Sequence, residues 1–540
     1  MQDAETDIVI VGAGPVGLAL AIELGLRGVR ATLIEQNDRI APQPRAKTTN
    51  VRSMEHMRRW GIADALRASA PLPSDYPTDI VFATRLFGHP LAHIPNAFNG
   101  ARVRDDRYSE PAQWVPQFKV EAALRARVRT LPTVTLLEHT RFVDLAESSD
   151  GVTAEVEDIA TGARQRIAAR HLVGADGARS DVRRLLGIAM QGRHAFGFNL
   201  NYVVRVPALR DLGGLQPAIM YWLVNTDSPA VTGPMDRDDV WFYGFLRGKD
   251  EPPPDEAAVK ARIRRSFGRE IDAEILVTDA WAAHSLIADR YGTRRILLAG
   301  DACHLHPPFG GYGMNLGLGD AVDLGWKLAA AVQGWGGAAL VASYEAERRP
   351  VHRRVIEEAV ANYALLSDHL ARPELEADTP EGAAVRVEIG QAIHAGKTRE
   401  FRTLGVVLGS HYSGSPIVVA DGAAPPPAHH ADYVPSAHPG CLAPHLWLAD
   451  GSSLYDHFGL GFTLLVTQAG VARSVARMQD AAWQARVPLT VVAPDDPRLP
   501  ALYGAALALI RPDQHVAWRG EAIGDAAAIL DCVAGLERVA

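Results

Sequence analysis

A chain of 540 residues, 47% of them hydrophobic and 22% charged, has the composition of a globular protein with two or three domains. Its net charge of −8 is mild and no basic stripe is present, which argues against a nucleic-acid partner. Three distant cysteines without a CxxC pair argue against a disulfide framework and a structural zinc site. Neither a signal peptide nor a membrane span is indicated, so we expect a cytoplasmic protein without a membrane partner.

The chain begins with a predicted βαβ unit. A strand at residues 7–11 and a strand at 29–35 flank a helix at 15–27, which is entered through Gly12, Gly14, Pro15 and Gly17. The first glycine permits a tight turn, the second lets the backbone approach a pyrophosphate, and the third lets helix and strand pack closely. Glu35 ends the second strand, where a carboxylate accepts hydrogen bonds from a ribose diol. The unit predicts a dinucleotide site that favours FAD or NAD over NADP.

The remaining elements follow in chain order. Helices are predicted at 51–60 and 118–130, and β-rich pieces at 134–156 and 166–173. Strand-like segments between 190 and 278 predict an inserted, mainly antiparallel sheet. In this insert Tyr221, Trp222, Trp241, Phe242 and Tyr243 alternate between a binding face and the core, and periodicity alone does not say which set is which. Long helices are predicted at 313–332 and 340–370, a linker at 423–430, and a small α/β unit after it.

The strand at 296–299 leads into the most informative segment, which runs from Gly300-Asp301 through Pro307-Pro308 to a helix beginning near Gly313. Small residues let the backbone press against a flat ligand, and the new helix end offers free N–H groups and a positive dipole. This pattern predicts a site for a flat, negatively polarised cofactor. Its other members are Gly311, Met314 and Asn315.

The three glycine-containing motifs, at 12–17, 174–180 and 300–301, together resemble those of the class A FAD-dependent aromatic hydroxylases related to p-hydroxybenzoate hydroxylase. The resemblance covers about residues 7–355 and extends to Arg45 and Gln117, which match cofactor-contacting positions of the family. It implies FAD, with Asp176 near the pyrophosphate and Asp301 on the ribityl chain. It also implies that N–H groups around Met314 and Asn315 face the flavin N1 and C2 carbonyl.

The resemblance further implies the reaction. Family members take electrons from NAD(P)H and transfer one oxygen atom from O2 to a phenolic ring through a flavin C4a-hydroperoxide. Pro308 matches the turn that passes close to C4a. The pattern is closest to the phenol, 2-hydroxybiphenyl, phenylpropionate and polyketide hydroxylases. A flavin oxidase, another tailoring enzyme acting on a polycyclic aromatic polyketide, a halogenase and a non-enzymatic flavin-fold module remain alternatives.

Two further side chains are candidates for catalysis. Lys47 lies near a position where phenol-type relatives carry a histidine, and burial could lower its pKa enough for it to deprotonate a phenol. The alternative is a surface lysine near the cofactor phosphates. His306 is either catalytic or a packing residue beside the flavin. No metal site is expected, because no His/carboxylate cluster with ligand spacing stands out.

The predicted fold class is α/β, with a Rossmann-like FAD-binding domain, an inserted mainly antiparallel β-sheet and a C-terminal thioredoxin-like domain. The FAD-binding domain is expected at 1–189 and again, with the long helices, at 286–394. The substrate-binding sheet is expected at 190–285. The C-terminal domain, at 395–540, resembles the appendage of the larger family members. It lacks CxxC, so we expect a structural role or a subunit interface in a homodimer.

Overall fold

The computed structural model describes residues 3–38, 45–207, 209–237, 239–364 and 370–536. Its central sheet has five parallel strands, in the order Ile296–Leu298, His171–Gly174, Ile8–Val11, Ala31–Ile34 and Val134–Leu137. Four of these strands are almost entirely apolar and buried, as expected for a parallel sheet covered on both faces, whereas the edge strand Val134–Leu137 has no fully buried residue. The predicted βαβ unit is confirmed, with helix Pro15–Leu26 between its strands.

A second, four-stranded sheet packs against the same core. Its strands lie in the order Asp3–Glu5, Arg164–Ala169, Val152–Asp158 and Thr140–Glu147, and all but the first pair are antiparallel. Alternate residues of its strands are buried in the core of the parallel sheet, which also contains one face of helix Gly313–Gln333. The α/β class and the FAD-type first domain are therefore those that the sequence predicts.

The inserted sheet has eight strands and is larger than the predicted segment 190–285. Its order is His304–Leu305, Glu274–Ala288, Met190–Arg205, Val240–Arg247, Ala230–Pro234, Met220–Leu223, Ile80–Ala83 and Pro90–Ile94. Three of these strands come from outside 190–285, and Met220–Leu223 pairs in parallel with Ile80–Ala83. The prediction missed the hairpin at 80–94 because four-residue apolar runs carry too little periodicity to identify a strand.

The helices are Pro15–Leu26, Val51–Arg59, Ala63–Ser69, Gln117–Val128, Asp181–Leu185, Glu256–Phe267, Gly313–Gln333, Ala338–Ala364, Pro380–Phe401, Leu404–Val407, Ala472–Ala485, Leu499–Tyr503 and Ala526–Val533. Residue 395, where the C-terminal domain is predicted to begin, lies inside helix Pro380–Phe401. Gly396 lies in that helix without ending it, since a glycine costs a helix interior only about 1 kcal/mol. Of the helix predicted at 340–370, residues 365–369 lie outside the described part.

The C-terminal domain follows an exposed irregular segment at 421–432, which includes the predicted linker. Its sheet has the order Leu489–Val492, Phe462–Val466, Leu507–Ile510 and Val516–Gly520. The first pair is parallel and the other two pairs are antiparallel. Across the described ranges, no helix combines the length and the apolar character needed to cross a membrane.

Candidate active site

The turn after the first parallel strand has no room for side chains. Gly12 has a φ of +102°, and a Cβ built on it would lie 2.5 Å from the carbonyl oxygen of Ala175. A Cβ on Gly17 would lie 1.9 Å from the carbonyl oxygen of Gly12. Gly14 caps the helix that begins at Pro15. The glycines therefore allow tight packing of the turn, and the helix start at Gly14 has no side-chain cap, so its N–H groups fit a pyrophosphate.

Glu35 is held over this turn. Its Oε2 accepts a hydrogen bond from the backbone N–H of Ala13 (3.0 Å), and its Oε1 accepts one from Asn37 (2.8 Å). The carboxylate is buried at the end of the neighbouring strand. This fixes its orientation beside the predicted pyrophosphate position, where a ribose would lie next to it.

Asp176 and Asp301 reach the same edge of the sheet. Each follows the carboxyl end of a parallel strand, as do Gly12 and Glu35, so all four predicted cofactor contacts share one edge. Oδ2 of Asp176 accepts a hydrogen bond from Val182 N–H, whereas Oδ1 is buried without a partner among the described residues. Burial raises the pKa of this carboxyl group. An unpaired buried acceptor at this edge fits a polar cofactor that completes the site.

Asp301 is exposed to the cleft beside Arg45, which is also exposed. Desolvation by the surrounding protein raises the pKa of the Asp301 carboxyl group, and electrostatic interactions with His304 and Arg45 oppose this shift. The backbone N–H of Gln117 donates to the carbonyl oxygen of Ala46 (2.8 Å). This hydrogen bond ties Gln117 to the segment that carries Arg45. These groups fit the polar sugar and phosphate part of FAD.

We expect Asp301→Ala to reduce FAD affinity at least tenfold and to leave the stability of the apoprotein within about 0.5 kcal/mol of wild type. The reason is that the surface of Asp301 is exposed in the apoprotein. FAD content after gel filtration and urea unfolding of the apoprotein measure the two effects. Asp301→Asn is the matched control, and equal FAD content in all three proteins would contradict the predicted ribityl contact.

The start of helix Gly313–Gln333 is fixed by the side chain of Asn315. Its Nδ2 donates to the carbonyl oxygens of Thr48 (2.8 Å) and Gly311 (2.7 Å), and its Oδ1 accepts from Asn50 N–H (2.9 Å). A Cβ on Gly311 would lie 3.2 Å from the Cβ of Thr48. These hydrogen bonds hold the start of the helix close to the short strand Thr48–Thr49. Only a narrow gap separates the two elements at Gly311 and Thr48. Met314 is buried against the core of the parallel sheet.

The loop before this helix carries Pro308 and His306. Pro308 is exposed, and its carbonyl oxygen accepts from Gly311 N–H (3.2 Å). Nδ1 of His306 lies 2.8 Å from the carbonyl oxygen of Pro307, to which it can only donate. Burial lowers the pKa of His306 to about 4, so its ring is neutral at pH 7. This geometry favours a positioning role for His306 in the Pro-Pro turn over proton transfer.

Lys47 stands between this helix start and the inserted sheet. Its half-buried side chain places Nζ 4.2 Å from the centroid of the Phe242 ring, and Nζ donates to the carbonyl oxygen of Arg45. Burial lowers the pKa of Lys47 to about 8, and Asp279 opposes this shift. A lysine with this pKa is partly neutral near pH 7 and can accept a proton.

The structure decides which aromatic residues face the site. Tyr221, Trp241 and Tyr243 pack on the side of helix Glu256–Phe267. Trp222 and Phe242 lie on the opposite face, where Trp222 contacts Phe309 of the Pro-Pro loop at a centroid distance of 6.2 Å. The rings of Trp222, Phe242 and Phe309 therefore form an aromatic wall, which we expect to face the flavin.

Sequence reasoning missed a buried ion pair behind this wall. Nζ of Lys397 donates to Glu400 (2.7 Å) and lies 4.6 Å from the ring centroid of Trp222. Burial raises the pKa of Glu400, against Lys397 and a hydrogen bond from Gly310 N–H. The pair thus connects helix Pro380–Phe401 to the Pro-Pro loop. No spacing rule links residues 397–400 to residue 310, so no sequence pattern could have found it.

A second buried cluster has metal-ligand residue types. Atoms of four side chains lie within 4.8 Å of one another, those of Cys303, His304, Asp320 and His352. However, the carboxylate of Asp320 already accepts hydrogen bonds from Gly300 N–H and both histidines, and it pairs with Arg348 at 2.7 Å. We interpret the cluster as a hydrogen-bond network, because the Asp320 carboxylate already has four hydrogen-bond donors and its charge is balanced by Arg348.

Comparison with known proteins agrees with this geometry. Residues 5–359 match the family model described as FAD binding domain, and residues 436–537 match the model described as aromatic-ring hydroxylase, C-terminal. The chain is 33% identical to aklavinone 12-hydroxylase DnrF of Streptomyces peucetius, over 87% of this chain and 92% of the relative. It is 29% identical to phenol 2-monooxygenase of a Pseudomonas species, over 96% and 90% of the two chains.

A solved structure is similar over nearly the whole length. The rebeccamycin biosynthetic enzyme RebC with reduced flavin is 35% identical and superimposes with a TM-score of 0.91, covering 99% of this chain and 100% of RebC. The match includes the C-terminal domain as well as the FAD-binding domain. With the glycine turn, the three acidic strand ends and the two family models in agreement, this chain belongs to the family of FAD-dependent aromatic-ring hydroxylases.

Proposed function

We propose that this protein hydroxylates a phenolic aromatic substrate, with NAD(P)H as electron donor and O2 as oxygen source. The observation that carries the proposal is the position of Lys47, whose Nζ lies over the Phe242 ring between the cofactor edge and the aromatic wall. A phenol stacked on this wall would present its hydroxyl group to an amine whose pKa is about 8. A phenolate is the more electron-rich ring, so removal of its proton favours oxygen transfer.

FAD, when bound, supplies the redox chemistry. The residues of the chain hold it and shield the reaction. Gly12 and Glu35 would hold the adenosine end, and Asp176 and Asp301 the pyrophosphate and ribityl part. The N–H groups at the start of helix Gly313–Gln333 would stabilise negative charge on the ring system. The rings of Trp222, Phe242 and Phe309 would exclude water from the oxygen-transfer step.

The relatives support both a small and a large substrate. One is named as a phenol monooxygenase and another as an aklavinone hydroxylase, and both match this chain over most of its length. Neither name assigns a substrate to this protein. We place the reaction in the cytoplasm, where NAD(P)H is available.

We also propose that the C-terminal domain is a thioredoxin-like fold with a structural role. Its strands follow a βαβαββα order, with a parallel pair first and two antiparallel pairs after it, which supports this assignment. The described residues include three free cysteines, all distant in sequence, so dithiol exchange is not part of the proposal.

The proposed reaction predicts that the purified protein is yellow, releases FAD on denaturation and incorporates one oxygen atom from labelled O2 into a phenol. The expected readout is mass spectrometry of the product after turnover with NADH or NADPH under 18O2. Product labelled from water, or hydrogen peroxide as the only product across a broad phenol panel, would contradict a monooxygenase. A colourless protein that does not bind added FAD would contradict the cofactor assignment.

A further inference from the structure

The inserted sheet contains a buried polar group that has no hydrogen-bond partner in the described part of the protein. Asn199, in strand Met190–Arg205, is 9% exposed, and its amide Nδ2 is buried without a hydrogen-bond partner among the described residues. Leaving a buried donor unpaired costs about 1–3 kcal/mol. Such a group needs an explanation, and a ligand that completes its hydrogen bonding is one that the position of Asn199 can test.

The strand register shows which way Asn199 faces. In the antiparallel pairing with strand Val240–Arg247, Val203 lies opposite Phe242, and Asn199 lies four residues further along the same strand. Side chains alternate between the two faces of a strand, so Asn199 shares the face of Val203 and Phe242. This is the face that carries Phe242 under the Lys47 ammonium group.

The other end of this face meets the Pro-Pro loop. A Cβ on Gly197, two residues before Asn199, would lie 2.0 Å from the Tyr363 hydroxyl group. The Tyr363 ring in turn packs on Phe309 at a centroid distance of 5.3 Å. Asn199 therefore lies between the Tyr363–Phe309 contact and the Phe242–Lys47 contact, on the wall of the proposed substrate site.

The spacing along the strand sets the size of a ligand that could touch both ends. Four residues at about 3.3 Å each place Asn199 about 13 Å along the strand from the Val203–Phe242 pair. A single phenol ring with its hydroxyl group at Lys47 is too short to reach Asn199. Three or four fused rings have the required length, and their flat shape suits the gap between the sheet and Phe309.

We propose that Asn199 is a specificity-determining residue, donating a hydrogen bond from its amide to an oxygen on the far ring of a fused polycyclic aromatic substrate. This inference rests on the proposed function, because it places the substrate hydroxyl group at Lys47. The acceptor is a hydroxyl or carbonyl oxygen, since Nδ2 can only donate. The aromatic wall binds the ring system, and Asn199 selects its length and its distal oxygen.

The test compares two ligands that differ by one oxygen atom. 2,6-Dihydroxyanthraquinone carries hydroxyl groups at both ends of its ring system, whereas 2-hydroxyanthraquinone lacks the distal one. We expect the FAD-loaded wild-type protein to bind the first about tenfold more tightly by isothermal titration calorimetry, the size of one buried hydrogen bond. Asn199→Leu, which has a similar volume without a donor, should bind both ligands equally.

Three control measurements test whether the preference depends on the Asn199 amide. Tyr202→Phe removes a polar atom from the same strand on the opposite face and should keep the wild-type preference. Asn199→Leu should unfold at no lower temperature than wild type, because it removes an unpaired buried amide. Asn199→Asp removes the donor at constant shape and should also lose the preference. Equal binding of the two ligands by wild type, or an unchanged preference in Asn199→Leu, would overturn the inference.

Ligand binding tests the role of Asn199, and oxygen incorporation tests the hydroxylase proposal, so the two can be contradicted separately. Binding is measured without NAD(P)H, so it reports on Asn199 even when no turnover occurs. A protein that prefers the dihydroxylated ligand but incorporates no labelled oxygen would contradict the hydroxylase proposal and support the role of Asn199. A protein that hydroxylates simple phenols and shows no preference would leave the hydroxylase proposal intact and refute the role of Asn199.

Discussion

Lys47→Met is expected to lower kcat/KM for a phenolic substrate by about 10²- to 10⁴-fold, the usual contribution of a general base. FAD content should stay unchanged, because the Lys47 ammonium group lies over the Phe242 ring and is not one of the three acidic strand-end residues predicted to hold FAD. The measurement is NAD(P)H oxidation coupled to quantified product. A decrease of less than threefold would rule out Lys47 as the base.

The pH profile gives an independent check. The neutral amine is the form that accepts a proton, and burial lowers the pKa of Lys47 to about 8 against the opposing charge of Asp279. Since the amine loses its proton as the pH rises, kcat/KM should increase from pH 6 and level off above pH 8. Lys47→Met should show no such rise over this range for a phenol whose own pKa lies well above it.

Lys47→Arg separates proton transfer from simple attraction. An arginine keeps the positive charge over the Phe242 ring, but its pKa is too high for it to accept a proton. If Lys47 is the base, the arginine variant should be about as inactive as the methionine variant. If it retains most of the activity, the charge rather than the proton acceptor is what matters, and the proposed role of Lys47 is wrong.

Arg511→Met should destabilise the protein by about 3–5 kcal/mol, because it leaves buried carboxylates without a counter-ion. Arg511 lies in the C-terminal domain, and its guanidinium group donates two hydrogen bonds to Glu347 (2.5 and 2.8 Å) of helix Ala338–Ala364. It also pairs with Asp513 (2.6 Å). The prediction is measured by urea unfolding and by limited proteolysis at the exposed segment 421–432.

The charges of this interdomain cluster explain the size of the effect. Burial alone would raise the pKa of Glu347, but Arg511 and Lys327 outweigh it and lower this pKa to about 2. The carboxylate is therefore charged in the folded protein and depends on both cations. Arg372→Met is a suitable control, because the Arg372–Glu388 pair is exposed and such pairs contribute about 0–1 kcal/mol. Similar losses in both variants would contradict the importance of the buried cluster.

The cofactor-binding part of the site could be predicted because its signals are local. Gly17 is required by a contact inside its own turn, with the carbonyl oxygen of Gly12, and Gly12 is favoured by its positive φ. Glu35, Asp176 and Asp301 each follow an apolar strand, and parallel strands bring their carboxyl ends to one edge whatever the distance along the chain. Periodicity, glycine positions and strand ends therefore predict a cofactor site at this edge from the sequence.

The substrate side of the site depended on the tertiary structure. Strand pairing decided that Trp222 and Phe242, and not Tyr221, Trp241 or Tyr243, lie on the face that meets Phe309 and Lys47, since a shift of one residue would exchange the two sets. The hairpin at 80–94 joined the sheet only through long-range pairing.

The fold class and the predicted cofactor edge follow from patterns between neighbours close along the chain, whereas the candidacy of Lys47 follows from the family resemblance. Only the tertiary structure could place Lys397 and Glu400 beside the Pro-Pro loop, pair Arg511 with Glu347, and leave the amide of Asn199 unpaired. These features arise where segments far apart in sequence meet, and the burial that gives them their energies exists only after the chain has folded.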